Sequence, residues 1–132
     1  MRSPFPLPQC HGIRLLLLCV LVSFAVSACS AAESTGDPTL VVSVSDDGVT
    51  VENQTGNPLT KGEIALIPQG IPRPYVAMLT RLGHGQKREF QFRTFRMSDA
   101  TPFKREIAKV KSVRVMATDV SGKTYQREVP FK

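Results

Sequence analysis

Apolar positions along this chain follow two regimes. Residues 15–26, from Leu15 to Val26, form a run of twelve broken only by Cys19 and Ser23. That length suits the hydrophobic region of an export signal and is too short to span a bilayer. From Leu40 onward the period is two. Leu40, Val42 and Val44 alternate with Val41, Ser43 and Ser45, and Val49 and Val51 resume the alternation up to Asn53. Asp46-Asp47-Gly48 lies between the two runs, so they read as a β-hairpin.

Further strands follow at short intervals. Gln54 to Pro58 is rich in breakers and reads as a loop. Glu63 to Ile67 is a continuous apolar run ended by Pro68, which predicts a buried strand. A second loop, Gln69 to Pro74, is stiffened by Pro72 and Pro74. Tyr75 to Leu82 predicts a fourth strand. Gly83 to Gln86 turns the chain, and Lys87 to Arg93 predicts a strand with Phe90 and Phe92 on one face.

Thr94 to Lys111 is the least regular stretch. It has material for one or two helical turns, with Phe103 and Ile107 four residues apart. It is expected to cross one end of the fold. Val113, Val115 and Ala117 alternate with Arg114, Met116 and Thr118, and Asp119 to Gly122 makes a turn. Tyr125, Val129 and Phe131 line the inner face of a last strand. Arg127 falls on that same face and is expected near its rim.

The expected fold is all-β: one small immunoglobulin-like or fibronectin-like sandwich of about seven strands. Val42, Val49, Val51, Ile64, Leu66, Phe90, Phe92, Val113, Val115, Tyr125 and Val129 are its expected core. The chain has no tryptophan, and its three cysteines, Cys10, Cys19 and Cys29, all precede the strands. The Cys…Trp…Cys signature of antibody domains is therefore missing, and so is any disulfide within the strand region. Val49 to Leu59 looks like the opening of small extracytoplasmic sandwich modules, where a strand ends in Asn and a Gly/Pro loop follows.

Arg2 and Arg14 precede the apolar run, and Ser27-Ala28-Cys29 follows it. The tetrad Val26-Ser27-Ala28-Cys29 resembles the lipobox of bacterial lipoproteins. That resemblance implies cleavage before Cys29, which becomes lipidated and anchors the chain to the membrane. The organisation is then a signal peptide (1–28), a lipidated tether (29–39) and a sandwich domain (40–132). Ser30 to Thr39 is small and polar; ten such residues reach at most about 35 Å and average roughly 18 Å. The domain is therefore expected to stay close to the membrane. Ser30, not aspartate, follows the cysteine, which implies the periplasmic face of the outer membrane in a cell with two membranes.

The formal charge is +6, and it is unevenly spread. From Glu33 to Glu63 there are six acids and one base; from Ile64 to Lys132 there are fourteen bases and five acids. A cationic half favours anionic surfaces: lipid headgroups, cell-wall polymers or an acidic envelope protein. Nucleic acid is not an expected partner outside the cytoplasm. The candidate binding residues are Lys87, Arg88, Arg93, Arg96, Lys104 and Arg105, with the Pro72/Pro74 loop as a rim. The competing reading of these cations is a solvated surface that blunts edge strands.

Little else points to chemistry. His84 is the only histidine after His11, and it sits between two glycines. One turn histidine lacks the converging partners that a metal or a nucleophile requires. Met78, Met97 and Met116 are scattered and form no copper cluster. Asp46-Asp47-Gly48 is too small a group of oxygens for calcium. The glutamates fall mostly at outward positions, and there is no Gly-x-Ser-x-Gly elbow. The expectation is a non-enzymatic envelope lipoprotein without cofactor or metal, acting as a binding or assembly module. The alternatives are an accessory protein on anionic headgroups or polymers and, least favoured, an enzyme.

Overall fold

In the computed structural model, residues 34–132 are described. The segment read as a signal peptide (1–28), Cys29 and Ser30 lie outside the described residues. Eight strands occur in chain order: β1 (Thr35–Gly36), β2 (Leu40–Val44), β3 (Gly48–Asn53), β4 (Leu59–Pro68), β5 (Tyr75–Leu79), β6 (Lys87–Gln91), β7 (Val110–Asp119) and β8 (Thr124–Pro130). All pairings are antiparallel. One sheet has the order β1-β8-β7-β4-β5, and the other β2-β3-β6. The chain is thus a small all-β sandwich, with β5 beside β4.

Period-two alternation makes the core. Val49 and Val51 of β3 face Ile64 and Leu66 of β4 and Val113 and Val115 of β7, and all six are fully buried. Of the eleven expected core positions, ten are buried; Val42 is half-buried and packs against them. Side chains that the alternation did not single out complete the filling: Leu59, Leu79, Leu82 and Phe95. Leu59 and Leu82 meet in an isolated bridge between the end of one loop and the start of another.

Three elements differ from expectation for local reasons. β6 stops at Gln91, and Phe92–Thr94 forms a 3-10 turn whose first amide donates to the Asp47 carbonyl at 3.0 Å. That turn brings Phe95 and Phe103 onto the end of the core. β4 departs only at Ile67: Ile64, Ala65 and Leu66 are buried as the continuous apolar run predicts, while Ile67 is half-buried on the outer face. There it shares a surface with Met78 and Met116, which flank Glu63 in the register.

The third is the stretch read as tether, whose Thr35 and Gly36 pair with Glu128 and Arg127 of β8. Backbone pairing needs no apolar periodicity, so the hydrophobic pattern gave no sign of it. Gly36 has φ of +103°, and a Cβ there would run into the Gln126 carbonyl. Asp37 then turns the chain toward β2, its Oδ1 accepting from the Thr39 amide at 2.9 Å and hydroxyl at 2.6 Å. β1 covers the outer edge of β8, which would otherwise offer unpaired backbone groups.

The register defines two ends. Val44, Gly48, Gln91, Pro68, Val110 and Pro130 mark one of them. The segment 95–109 crosses this end, as its irregular pattern predicts, and it is called the crossover end below. Asn53, Lys87, Leu59, Asp119 and Thr124 mark the opposite end.

Candidate functional site

The crossover end is built on aromatic rings. Phe92, Phe95, Phe103 and Tyr75 are buried, and Phe131 is half-buried beside them. Phe103 meets Tyr75 edge-on at 5.2 Å between centroids and Phe92 at 5.4 Å; Phe131 lies 5.7 Å from Phe92. Arg105 closes over them, its guanidinium 5.6 Å from the Phe92 and Phe131 centroids. Its Nη1 donates to the Asp46 carbonyl at 2.6 Å and pairs with the Asp46 carboxylate at 3.4 Å. Cation–π contact and the link to the β2–β3 turn give Arg105 a packing role.

Beyond Phe103, Lys104 to Ala108 makes one turn in which the Ile107 and Ala108 amides donate to the Lys104 carbonyl at 3.1 and 2.9 Å. Phe103 and Ala108 hold the turn down. Ile107 stands at its tip with 77% of its surface exposed, the most exposed large apolar side chain among the described residues. The neighbouring loop carries Ile71, 45% exposed, and is joined to the crossover by the Gln69 amide donating to the Lys109 carbonyl at 2.8 Å.

The six candidate cations do not form one patch. Arg93, Arg96, Lys104 and Arg105 belong to the crossover end. Lys87 and Arg88 begin β6 at the opposite end, with Lys87 about 14 Å from Gln91 along the strand. Lys87 pairs with Glu52 at 3.8 Å. Arg88 donates to the Thr80 hydroxyl at 2.7 Å and the Arg81 carbonyl at 3.0 Å, so it braces the 80–86 turn. Strand direction separates them: four residues of β6 carry the chain most of the way from one end to the other.

The topology brings other cations in their place. Arg73, two residues after Ile71, and Lys109 and Lys111, which flank the first residue of β7, join the crossover end. Among the described residues, Arg73, Arg93, Arg96, Lys104, Lys109 and Lys111 are exposed and have no ion pair or side-chain hydrogen bond. Asp46, Asp47, Asp99 and Glu106 share this end. Asp46 is engaged by Arg105, and Asp99 caps its own turn by accepting from the Thr101 amide at 3.0 Å. The Thr101 hydrogen bonds hold the Asp99 carboxyl below its ordinary range.

The opposite end is a closed polar network. Asn53, fully buried, donates to the Asn57 and Leu82 carbonyls and accepts from the Thr55 amide and hydroxyl. Asp119, also buried, accepts from the Ser121 hydroxyl and amide, the Lys123 amide, Asn57 and Tyr125. The Ser121 hydroxyl is the largest influence holding its carboxyl far below the usual carboxylate range. His84 is exposed and its Nδ1 accepts from the Gly56 amide at 3.1 Å, a contact that ties two loops together. Every bond of this network is internal, so it serves the loops. Among the described residues no group of three or more His, Cys, Asp or Glu is placed to hold a metal ion.

Arg127, expected at the rim, reaches from β8 to the incoming chain, donating to the Ser34 hydroxyl at 2.6 Å and the Gly36 carbonyl at 3.2 Å. Because β1 runs antiparallel to β8, Ser34 lies toward the crossover end, beside Val129 and Phe131. Sequence reading missed this because it depends on which strand β1 pairs with. No family model, curated protein or solved structure matches this chain.

Proposed function

We propose that this protein is a bacterial envelope lipoprotein, anchored through Cys29, whose sandwich domain is a non-enzymatic binding or assembly module. The anchoring is supported by the apolar run, its basic flank and the tetrad Val26-Ser27-Ala28-Cys29. The observation that carries a membrane-proximal role is the docking of Thr35 and Gly36 on β8. It leaves only residues 30–33 between the anchor and the described part of the chain. The periplasmic face of the outer membrane is proposed from Ser30.

A second reading is an accessory protein that contacts anionic headgroups or cell-wall polymers. It is favoured by the exposed cations of the crossover end, which form no close ion pair among the described residues. The two readings part in one experiment. Crosslinking in intact membranes followed by purification of the lipidated protein yields a defined protein partner under the first reading. Under the second it yields lipid or glycan adducts that salt competes away.

A further inference from the structure

We infer that the crossover end is seated on the anionic bilayer that holds the anchor, with Ile107 and Ile71 dipping into the headgroup layer. This rests on the anchoring reading above and extends it to an orientation. Three observations point the same way. The first is reach. Five peptide steps separate Cys29 from Ser34, so the start of the described chain lies within about 18 Å of the lipidated residue. Ser34 is held by Arg127 and sits toward the crossover end. Ser34 is level with Val129, about 17 Å along β8 from Thr124, so the near end is seated with slack in the linker and the far end only with the linker at full stretch.

The second is charge. Arg73, Arg93, Arg96, Lys104, Lys109 and Lys111 cluster at this end, exposed and unpaired among the described residues. Each cation near an anionic surface strengthens binding on the order of fivefold. The third is the pairing of this charge with exposed apolar tips. Singly exposed hydrophobics are ordinary on a protein surface. Here, however, Ile107 and Ile71 lie on adjoining segments bridged by the Gln69–Lys109 hydrogen bond, with Lys104, Lys109 and Arg73 beside them in the chain. Apolar tips among cations suit the boundary between headgroups and acyl chains. Seating this end leaves the outer face bearing Met78 and Met116 clear for a partner.

The test uses the full lipidated chain reconstituted in phosphatidylglycerol or phosphatidylcholine vesicles. After processing, Cys29 is the only native cysteine, and its sulfur carries lipid, so one added cysteine takes an environment-sensitive dye. Ile107→Cys reports on the crossover end and Val120→Cys, on the β7–β8 turn, on the opposite end. Palmitate labelling of the same samples reports on the anchor. The expected result is a blue-shifted Ile107 dye quenched by headgroup-labelled phosphatidylglycerol, with the Val120 dye in water. Lys104→Glu with Lys109→Glu should weaken that quenching by at least about fivefold. A water-like Ile107 dye on a chain whose Cys29 is lipidated overturns the orientation alone. Equal quenching of both dyes, or equal quenching in both lipids, also overturns it. An unlabelled Cys29 removes the anchoring reading instead.

Discussion

The Tyr125 hydroxyl donates to Asp119 Oδ2 at 3.0 Å across the β7–β8 hairpin, and Asn57 donates to the same oxygen at 3.2 Å from the β3–β4 loop. One buried carboxylate thus joins a hairpin to a loop 62 residues away in the chain. Asn53 anchors the other side of that loop. The opposite end is consequently stiff, whereas the crossover end combines an aromatic floor with exposed side chains.

Acid should loosen this junction. The Asp119 carboxyl is held below its ordinary 3.8, so its contribution is complete above that value and is lost as the pH falls from there toward its lowered one. Asp119→Asn cannot titrate. At pH 7 the variant should melt below the wild type, and the gap should narrow as the pH drops from about 5 to 2. Thermal melts across that range check the prediction; a constant gap would refute it.

Core and tip residues should respond very differently to truncation. Phe95 is fully buried, and Phe95→Ala should cost about 3–5 kcal/mol. Ile107 is exposed, and Ile107→Ala should stay within about 0.5 kcal/mol of the wild type. Denaturant titration of the two variants separates these outcomes, and equal losses would contradict the placement of Phe95.

The contrast between Phe95 and the strand residues shows what the chain made legible. Val49, Val51, Ile64, Leu66, Val113 and Val115 lie in runs of period two, which fixed the sheets and the inner faces. Phe95 and Phe103 lie in an irregular stretch where no period applies, and only the path of the crossover puts them in the core. The candidate site was half legible for the same reason. Charge counting found the basic half, but strand direction decides that Lys87 and Arg88 stand at one end and Arg93 at the other. β1 left no trace in the hydrophobic pattern; its signals were Gly36 and the Asp37 turn.

Gly36 offers a direct check of β1. Its positive φ and the nearness of the Gln126 carbonyl leave no room for a side chain. Gly36→Ala should release residues 34–36 from β8 while the two sheets persist. Hydrogen exchange should then show lost protection at the Asp37 amide, which donates to the Gln126 carbonyl at 2.8 Å, with core amides unchanged. Retained protection would mean that β1 tolerates a Cβ.

The cations at the two ends should be separable in binding. Lys87→Glu, at the opposite end, should leave association of the unlipidated chain with anionic vesicles unchanged. Lys104→Glu should weaken it by about fivefold at low salt. Sedimentation with the vesicles measures both, and equal effects would return the site to a diffuse surface charge.

The central claim is that Cys29 is the lipidated first residue of the mature protein. Mass spectrometry of the amino-terminal peptide from membrane-extracted protein tests it most directly. The account predicts a peptide that begins at Cys29 and carries a diacylglyceryl group, and no such species from Cys29→Ser. A peptide that begins before Cys29, or an unmodified Cys29, would contradict it.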